Sequence, residues 1–391
     1  MSFCDLNFLS DKYKIETDLL NAYYKKGLVR GFVDGKILKI DENSLKNTLV
    51  NKKKLKFLGS SKRSKYNAIE LFSGCGGLAL GLERSGFNTL KAFDIDPDSI
   101  NTIKSNRPDW GAEVKDVKEL SLKEYRGVLD LLAGGFPCQA FSYAGAKLGF
   151  ADTRGTLYFE FLRLIKEAKP KIFLAENVKG LLSHDNGRTI KVMIEGFKKA
   201  GYRVEFKLLK SQFFDVPQKR ERVIIVGVRK DLKIKYFFPA ENSYFIPLRE
   251  ALSNITESEG ITYSSAKEKV LAKVPEGGNW RDLPTALQKS YMGKSFNQGG
   301  GKTGVARRLH MDEPSLTLTC SPSQKQTDRC HPIETRPLNV REYARIQTFP
   351  DSWKFSGSTS SKYRQIGNAV PVNLAFHVGR SIIHALDSEE I

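Results

Sequence analysis

Short apolar runs alternating with polar or amphipathic stretches dominate the middle of the chain. Tyr66–Phe72, Leu90–Phe93, Glu113–Val117, Val128–Ala133, Ile172–Ala175, Tyr202–Leu209 and Val223–Gly227 each have the length and pattern of a strand. Between them, Ser99–Asn106, Thr156–Ala168 and Thr189–Ala200 read as helices. In the second, Leu157, Phe161, Leu164 and Ile165 recur at helical spacing, and the helix ends before Pro170. This alternation over residues 66–230 predicts an α/β fold with an open, doubly wound sheet. The rhythm is lost over 231–335, which is rich in Ser, Thr, Gly, Asn and Gln and predicts a smaller, irregular domain. It returns with a helix around Val340–Gln347 and another whose start is marked by Pro371. Ahead of residue 66 the periodicity is weak: a short helix at Asp18–Lys25, a hairpin within Phe32–Ile40, then a Lys-rich linker.

Composition narrows the class. The 391 residues allow two or three domains, and a hydrophobic content of 40% suits a soluble globular protein. No apolar run reaches the roughly 18 residues of a membrane helix, and the opening MSFCDLNFLSDKYK lacks a signal-peptide layout, so a cytoplasmic, non-membrane protein is expected. Five scattered cysteines argue against a disulfide framework. The charge of +19 points to a polyanionic partner, nucleic acid ahead of a membrane surface. The excess is uneven. Residues 1–65 carry 15 Lys+Arg against 7 Asp+Glu, while 231–335 carry 14 against 12. Base reading in the latter would rest on polar groups and shape more than on charge.

Candidate chemistry gathers at strand ends. The stretch GGFPCQAFS (134–142) follows a buried strand; two glycines turn the chain and Pro137 stiffens the approach to Cys138, a candidate nucleophile. The first strand runs into SGCGGLALGLERSGF (73–87), a Gly-rich turn entering a helix. Its spacing, Gly74-x-Gly76-Gly77 and then Gly81, departs from strict G-x-G-x-x-G, so a nucleotide-containing cofactor and tight packing both remain open. Asp94 ends the second strand about 20 residues later, where a doubly wound fold holds ribose hydroxyls. Asp116 ends the third strand, and Glu176 lies on the rim that carries Cys138. Gln218, Arg220 and Arg222 would share one face of an extended segment, suited to carbonyl or phosphate oxygens. The polar stretch Gln139–Arg154 is a candidate lid. Cys320, Cys330 and His331 match no zinc spacing and lack a fourth ligand, so no metal is expected.

Seven segments in order, ELFSGCGG, GGFPCQAFS, RGTLYFE, ENV, PQKRER, REYARIQTFPDSW and QIGNAVP, resemble the cytosine carbon-5 DNA methyltransferases of bacterial restriction–modification systems. The likeness covers about residues 66–230 and 336–386. It implies a Rossmann-like S-adenosyl-L-methionine-dependent sheet (66–230, completed by 363–391), a target-recognition domain (231–340), a connection (341–362) and a basic extension (1–65). It also implies where each residue acts. Phe72, Gly74, Gly76 and Gly77 match the cofactor turn. Asp94, usually glutamate in the family, matches the ribose ligand, Ile95 the adenine platform, and Asp116 and Val117 the adenine edge. Gly135, Leu157, Asn368 and Ala369 match positions around the methionine moiety and methyl group.

The resemblance assigns Cys138 as the nucleophile that adds to carbon-6 of cytosine, Glu176 to ring nitrogen-3 and the amino group, and Arg222 to the ring carbonyl. Arg220 would help lower the thiol pKa. Because the attacked atoms are hidden in a duplex, the base must be flipped out. Gln139, Ser142 and Arg154 would then meet DNA from the lid. Arg307, Arg308, Thr317, Thr319, Ser321, Gln324 and Gln326 are of types that read base edges. Double-stranded DNA, a cognate restriction endonuclease and a monomeric state are the implied partners and assembly. An RNA cytosine methyltransferase is the alternative within the fold; a Rossmann dehydrogenase has no use for Cys138, Glu176 and Arg222, and an inactive DNA-binding module none for a full catalytic set.

Overall fold

The computed structural model describes residues 3–13, 17–25, 29–35, 37–45, 55–56, 58, 65–136, 156–255, 258–297, 303–324 and 326–390. The N-terminal part holds β1 (Phe3–Asp5), α1 (Leu6–Tyr13), α2 (Thr17–Lys25), β2 (Gly31–Asp34) and β3 (Ile37–Asp41). The α/β region follows with β4 (Asn67–Leu71), α3 (Gly77–Ser85), β5 (Asn88–Asp94), α4 (Pro97–Asn106), β6 (Ala112–Val114) and β7 (Leu131–Gly134). It continues with α5 (Thr156–Ala168), β8 (Ile172–Val178), α6 (Arg188–Lys199), β9 (Tyr202–Lys210), β10 (Gln218–Lys219) and β11 (Glu221–Arg229). Then come α7 (Leu248–Leu252), α8 (Ser265–Leu271), α9 (Thr285–Met292) and β12 (Ser315–Leu316), and finally α10 (Val340–Ile346), α11 (Thr359–Asn368) and α12 (Val372–Asp387).

Seven strands form one sheet in the order β6-β5-β4-β7-β8-β11-β9. The first five are parallel, while β11 runs antiparallel to both β8 and β9. The chain winds outward from β4 to β6, then crosses back to place β7 on the other side of β4. That reversal is the switch point where open α/β sheets bind ligands. Strand β7 and the first four residues of β8 are apolar because helices cover both faces; all four residues of β7 and the first six of β8 are buried. Two strands are shorter than their apolar pattern. Val128 is 51% exposed, and Asp130 accepts from the Asn67 amide at 2.8 Å before β7 begins. Asp116 leaves the third strand to cap a 3-10 turn, accepting from the Lys118 amide at 3.0 Å.

The last helix closes on the first. A Cβ at Gly81 of α3 would lie 2.3 Å from Ala375 Cβ and 2.5 Å from Val372 O of α12. This contact packs the C-terminal helix directly on the first helix of the sheet. The expected connection 341–362 is built into the same core: Trp353 is buried against Trp110 at 6.2 Å between ring centroids, with the Arg107 guanidinium 5.5 Å from the Trp353 ring. The basic extension packs likewise. Leu9, Leu20, Ile40 and Leu45 are fully buried in one cluster with Leu131 and Ile172, and Tyr23 stacks on Phe245 at 6.0 Å.

The described residues of 231–340 have little regular structure, so their carbonyls need other donors. Arg308 supplies several. Its guanidinium donates to the carbonyls of Val274, Leu271, His331 and Glu334 and to the Thr335 hydroxyl, at 2.8–3.1 Å. A small core of Leu271, Val274, Trp280, Leu283, Val305, Ala306 and Cys330 surrounds it.

Gly81→Ala tests the helix closure. Alanine in a helix usually gains up to about 1 kcal/mol over glycine, but overpacking at this contact costs about 1–3 kcal/mol. The expected outcome is a lower urea midpoint; a raised midpoint would refute the packing argument.

Candidate active site

The carboxyl ends of β4, β5, β6, β7 and β8, together with residues 318–320 and 367–370, enclose a cavity of about 1220 Å³. A single small-molecule site usually occupies about 300–1,000 Å³, so this one has room for two ligands side by side.

At one end is the glycine turn. Phe72, Gly74 and Gly76 all have positive φ (56°, 51° and 86°), which bends the chain sharply from β4 into α3 and favours glycine at the latter two. Asp94 fixes the turn. One carboxylate oxygen accepts from the Gly74 amide at 2.7 Å and the other from the Asp96 amide at 2.9 Å. Burial raises the Asp94 pKa, and the two amide bonds act against it. Each oxygen keeps a second lone pair for a ligand. Ile95 beside it is 69% exposed, an aliphatic surface on the cavity wall with no protein cover. Val117 is buried, and Asp116, Leu157, Asn368 and Ala369 line the same space.

At the other end a carboxylate meets a guanidinium. Arg222 lies opposite Val178 in the β8–β11 pairing, one diagonal from Glu176, and its Nε reaches Glu176 Oε1 at 2.6 Å. Both side chains are nearly buried, so the pair is weakly screened. Gly135 makes room for it: a Cβ there would lie 2.8 Å from Glu176 Oε2. Asn177 holds the neighbouring strand end by donating to Phe136 O at 3.0 Å.

The expected row of three donors does not form. Amide bonds from Gln218 to Val216 O and from Arg220 to Gln218 O put a kink between β10 and β11, which breaks the alternation. Gln218 is fully buried, bonded to Gln347 and to the Leu318 amide, and Lys219 pairs with Glu313 at 2.9 Å. Arg220 does line the cavity, but Nη1 donates to Gly367 O at 3.0 Å and Leu318 O at 3.4 Å, and Nη2 to Asn368 O at 3.3 Å. Burial, and then the Arg222 charge, lower its pKa to about 9.

Among the expected base readers, Gln324 lines the cavity. Arg308 is a correction: it is buried and its donors are spent on the carbonyls of its own domain. Thr317, Thr319 and Ser321 donate to the carbonyls of Lys219, Ser321 and Ser323. Arg307 is half-buried, and Gln326 is exposed. Cys138, Gln139, Ser142 and Arg154, with the rest of the candidate lid, lie outside the described residues.

Cys320 and Glu70 are among the cavity residues that the sequence did not single out for the site. Cys320, considered there only as a metal ligand, donates its thiol to Asn368 Oδ1 at 3.1 Å. Glu70 sits in β4 just before the turn, accepting from the Ala79 amide at 2.9 Å, and burial pushes its pKa well above the ordinary glutamate value. A polar residue inside an apolar strand was the one signal for Glu70; nothing local marks Cys320.

A doubly wound sheet with a glycine turn at its first strand, an acid ending its second and a buried Glu–Arg pair on the same rim places a ligand site at the carboxyl ends of its strands, as open α/β folds do. Comparison with known proteins narrows this. A model of the C-5 cytosine-specific DNA methylases matches residues 66–384. The type II methyltransferase M.Eco47II of Escherichia coli is 51% identical over 408 residues, covering 98% of both chains, and so takes in nearly all of residues 1–65. M.Sau96I of Staphylococcus aureus is 51% identical over 333 residues, covering 83% of this chain and 77% of its own. A crystal structure of a prophage-encoded E. coli protein, described as a DNA modification methyltransferase, superposes with a TM-score of 0.62 at 26% identity, covering 82% of this chain and 99% of that one. Spodoptera frugiperda DNMT2 shares the fold at 19% identity, with a TM-score of 0.56 and coverage of 81% and 99%.

The chain belongs to the C-5 cytosine-specific DNA methylase family. It is a DNA (cytosine-5)-methyltransferase of the type II class, with the Rossmann-like fold of that family; the RNA alternative is not favoured.

The Glu70 environment gives a pH test. A raised folded pKa means the folded chain keeps a proton that the unfolded chain releases above about pH 4.3. Glu70 therefore stabilises fully only below that pH, and its contribution is lost as pH rises through the folded value. Glu70→Gln keeps the acceptor for Ala79 and removes the ionisation cost. Its melting temperature should exceed that of the parent by a few degrees at pH 8, at about 2–4 °C per kcal/mol, and equal it near pH 4. The same difference at both pH values would contradict this.

Proposed function

We propose that the cavity holds S-adenosyl-L-methionine at the glycine turn and a flipped cytosine at the Glu176–Arg222 end. The observation that carries this reading is the Glu176–Arg222 pair, buried on the cavity wall shared with the turn. The residues fit such a cofactor. Exposed Ile95 offers an apolar face for adenine, and Asp94 retains lone-pair capacity for ribose hydroxyls. When bound, the cofactor supplies an electrophilic methyl group. Turn residues Phe72, Gly74, Gly76 and Gly77 would hold it, with Asp116 and Val117 at the adenine edge and Gly135, Leu157, Asn368 and Ala369 near the methionine part.

Cytosine carbon-5 is a weak nucleophile. The Cys138 thiolate, its proton released to solvent, adds to carbon-6; the carbon-5–carbon-6 electron pair then becomes available for methylation at carbon-5. Glu176 bonds ring nitrogen-3 and the amino group, and Arg222 the ring carbonyl, so both stabilise the charge that develops on the ring. Loss of the carbon-5 proton to water and departure of the thiolate restore the enzyme. Arg220 acts on backbone rather than base, holding carbonyls on the cavity wall. Double-stranded DNA is the substrate, engaged by a monomer in the cytoplasm; methylation protects it from a cognate endonuclease.

Transfer of tritiated methyl from the cofactor to duplex DNA, with tRNA in parallel, tests this. Duplex DNA should be labelled and tRNA not. Cys138→Ser should abolish labelling, and Glu176→Gln or Arg222→Ala should each lower kcat by about 10²–10³. Labelling that survives Cys138→Ser sinks the mechanism.

A further inference from the structure

Two distant backbone segments on the cavity wall are locked together by buried side chains that the chemistry does not use. Leu318, in the recognition segment, is held at both its amide and its carbonyl. Its amide donates to Gln218 Oε1 at 3.0 Å, and its carbonyl accepts from Arg220 Nη1 at 3.4 Å. Gln218 Nε2 donates to Gln347 Oε1 at 2.9 Å. Gln347 Nε2 in turn donates to Ile366 O at 2.7 Å and Ala369 O at 3.2 Å. Arg220 runs in parallel, from Leu318 O to Gly367 O and Asn368 O. There is no slack beside these links: a Cβ on Gly367 would lie 2.3 Å from Thr319 O. Both glutamines are fully buried and neither lines the cavity.

Each glutamine amide acts as donor and acceptor at once, which fixes the relay's direction. A shift of Leu318 must break a buried hydrogen bond, at about 1–3 kcal/mol for the stranded group, or be passed on to residues 366–369. Gly367, Asn368 and Ala369 line the cavity next to the cofactor position proposed above, and Leu318, Thr319, Cys320 and Gln324 line it from the recognition segment. We propose that Gln218 and Gln347 are positioning residues that couple the two sites, so that duplex DNA on the recognition segment tightens cofactor binding and the cofactor tightens DNA binding. This rests on the placement of cofactor and base proposed above. The coupling must be reciprocal.

Equilibrium dialysis of radiolabelled S-adenosyl-L-homocysteine against the full chain, with and without saturating unmethylated plasmid DNA that the enzyme methylates, tests it. The parent should bind about 5–150-fold more tightly with DNA, the usual range of such couplings. In Gln218→Met and in Gln347→Met, affinity without DNA should stay within about twofold and the DNA enhancement should fall towards one. The double variant should lose no more than either single one, because both cut one chain. Filter binding of the plasmid with and without S-adenosyl-L-homocysteine should show the same loss. If the methionine variants do not fold, Gln347→Glu at pH 8 keeps an acceptor for Gln218 and replaces the donor to Ile366 and Ala369 with a carboxylate oxygen. Enhancement that persists in a folded variant overturns the proposal. So does an equal loss of affinity with and without DNA, which marks a plain structural prop, or a parent that shows no enhancement. A parent that binds no S-adenosyl-L-homocysteine at all instead overturns the proposed cofactor site.

Discussion

A carboxylate cannot be buried at the edge of a parallel sheet without a partner, and most of the architecture around the cavity follows from meeting that need for Glu176. An isolated buried carboxylate would take up a proton instead. The partner is Arg222, and only an antiparallel β11 beside β8 sets it one diagonal away with its Nε at 2.6 Å. A sixth parallel strand would have reversed the direction of the PQKRER segment and carried Arg222 to the opposite end. Gly135 belongs to the same solution, since any side chain there would occupy the carboxylate's place. Breaking such a pair by removing one member strands a charge, typically at 3–5 kcal/mol. Substitution on either side would therefore disturb local structure as well as chemistry.

The parts of this design that depend on neighbouring residues were legible in the sequence. The strands announced themselves as apolar runs, the turn by glycines at positions that need positive φ, and Asp94 and Glu176 by following buried strands directly. What was not legible depends on contacts across long separations. Gln218 lies 129 positions from Gln347, and Arg220 lies 147 from Gly367. No periodicity links such residues. The alternation rule even misled at Gln218, because a kink of two short-range amide bonds separates it from Arg222. Arg308 misled for a related reason. An arginine in a basic chain reads as a phosphate or base ligand, yet a domain with little regular structure has carbonyls to satisfy, and a five-donor side chain does that efficiently.

Long-range packing also governs the described part of residues 1–65. By their charge they form a basic extension, with 15 Lys+Arg against 7 Asp+Glu. Leu9, Leu20, Ile40 and Leu45 are inaccessible to solvent in a cluster that includes the central strands. At about 1.5–3 kcal/mol for each fully buried large aliphatic, removing this segment would expose a substantial part of the core. Lys12, Lys25 and Lys39 lie on elements of this packed layer, and any contact they make with a polyanion is made from that support.

Closure of the cavity is therefore a long-range matter. The sheet supplies the acids and the turn from residues 66–178, but the wall facing them comes from 318–320 and 367–370. Those two segments reach it by different routes: one through the β10–β12 pairing, the other through α12 packed on Gly81. Neither route alone fixes one segment relative to the other. The buried amides of Gln218 and Gln347 and the Arg220 guanidinium do, and in a close-packed interior polar links of defined geometry specify position more narrowly than apolar contact can. Arg220 leaves its Nε buried and unpartnered in the process. That orphan donor marks the guanidinium as placed for the carbonyls of Leu318, Gly367 and Asn368 rather than for its own full satisfaction. The geometry of the wall is what this arrangement maintains.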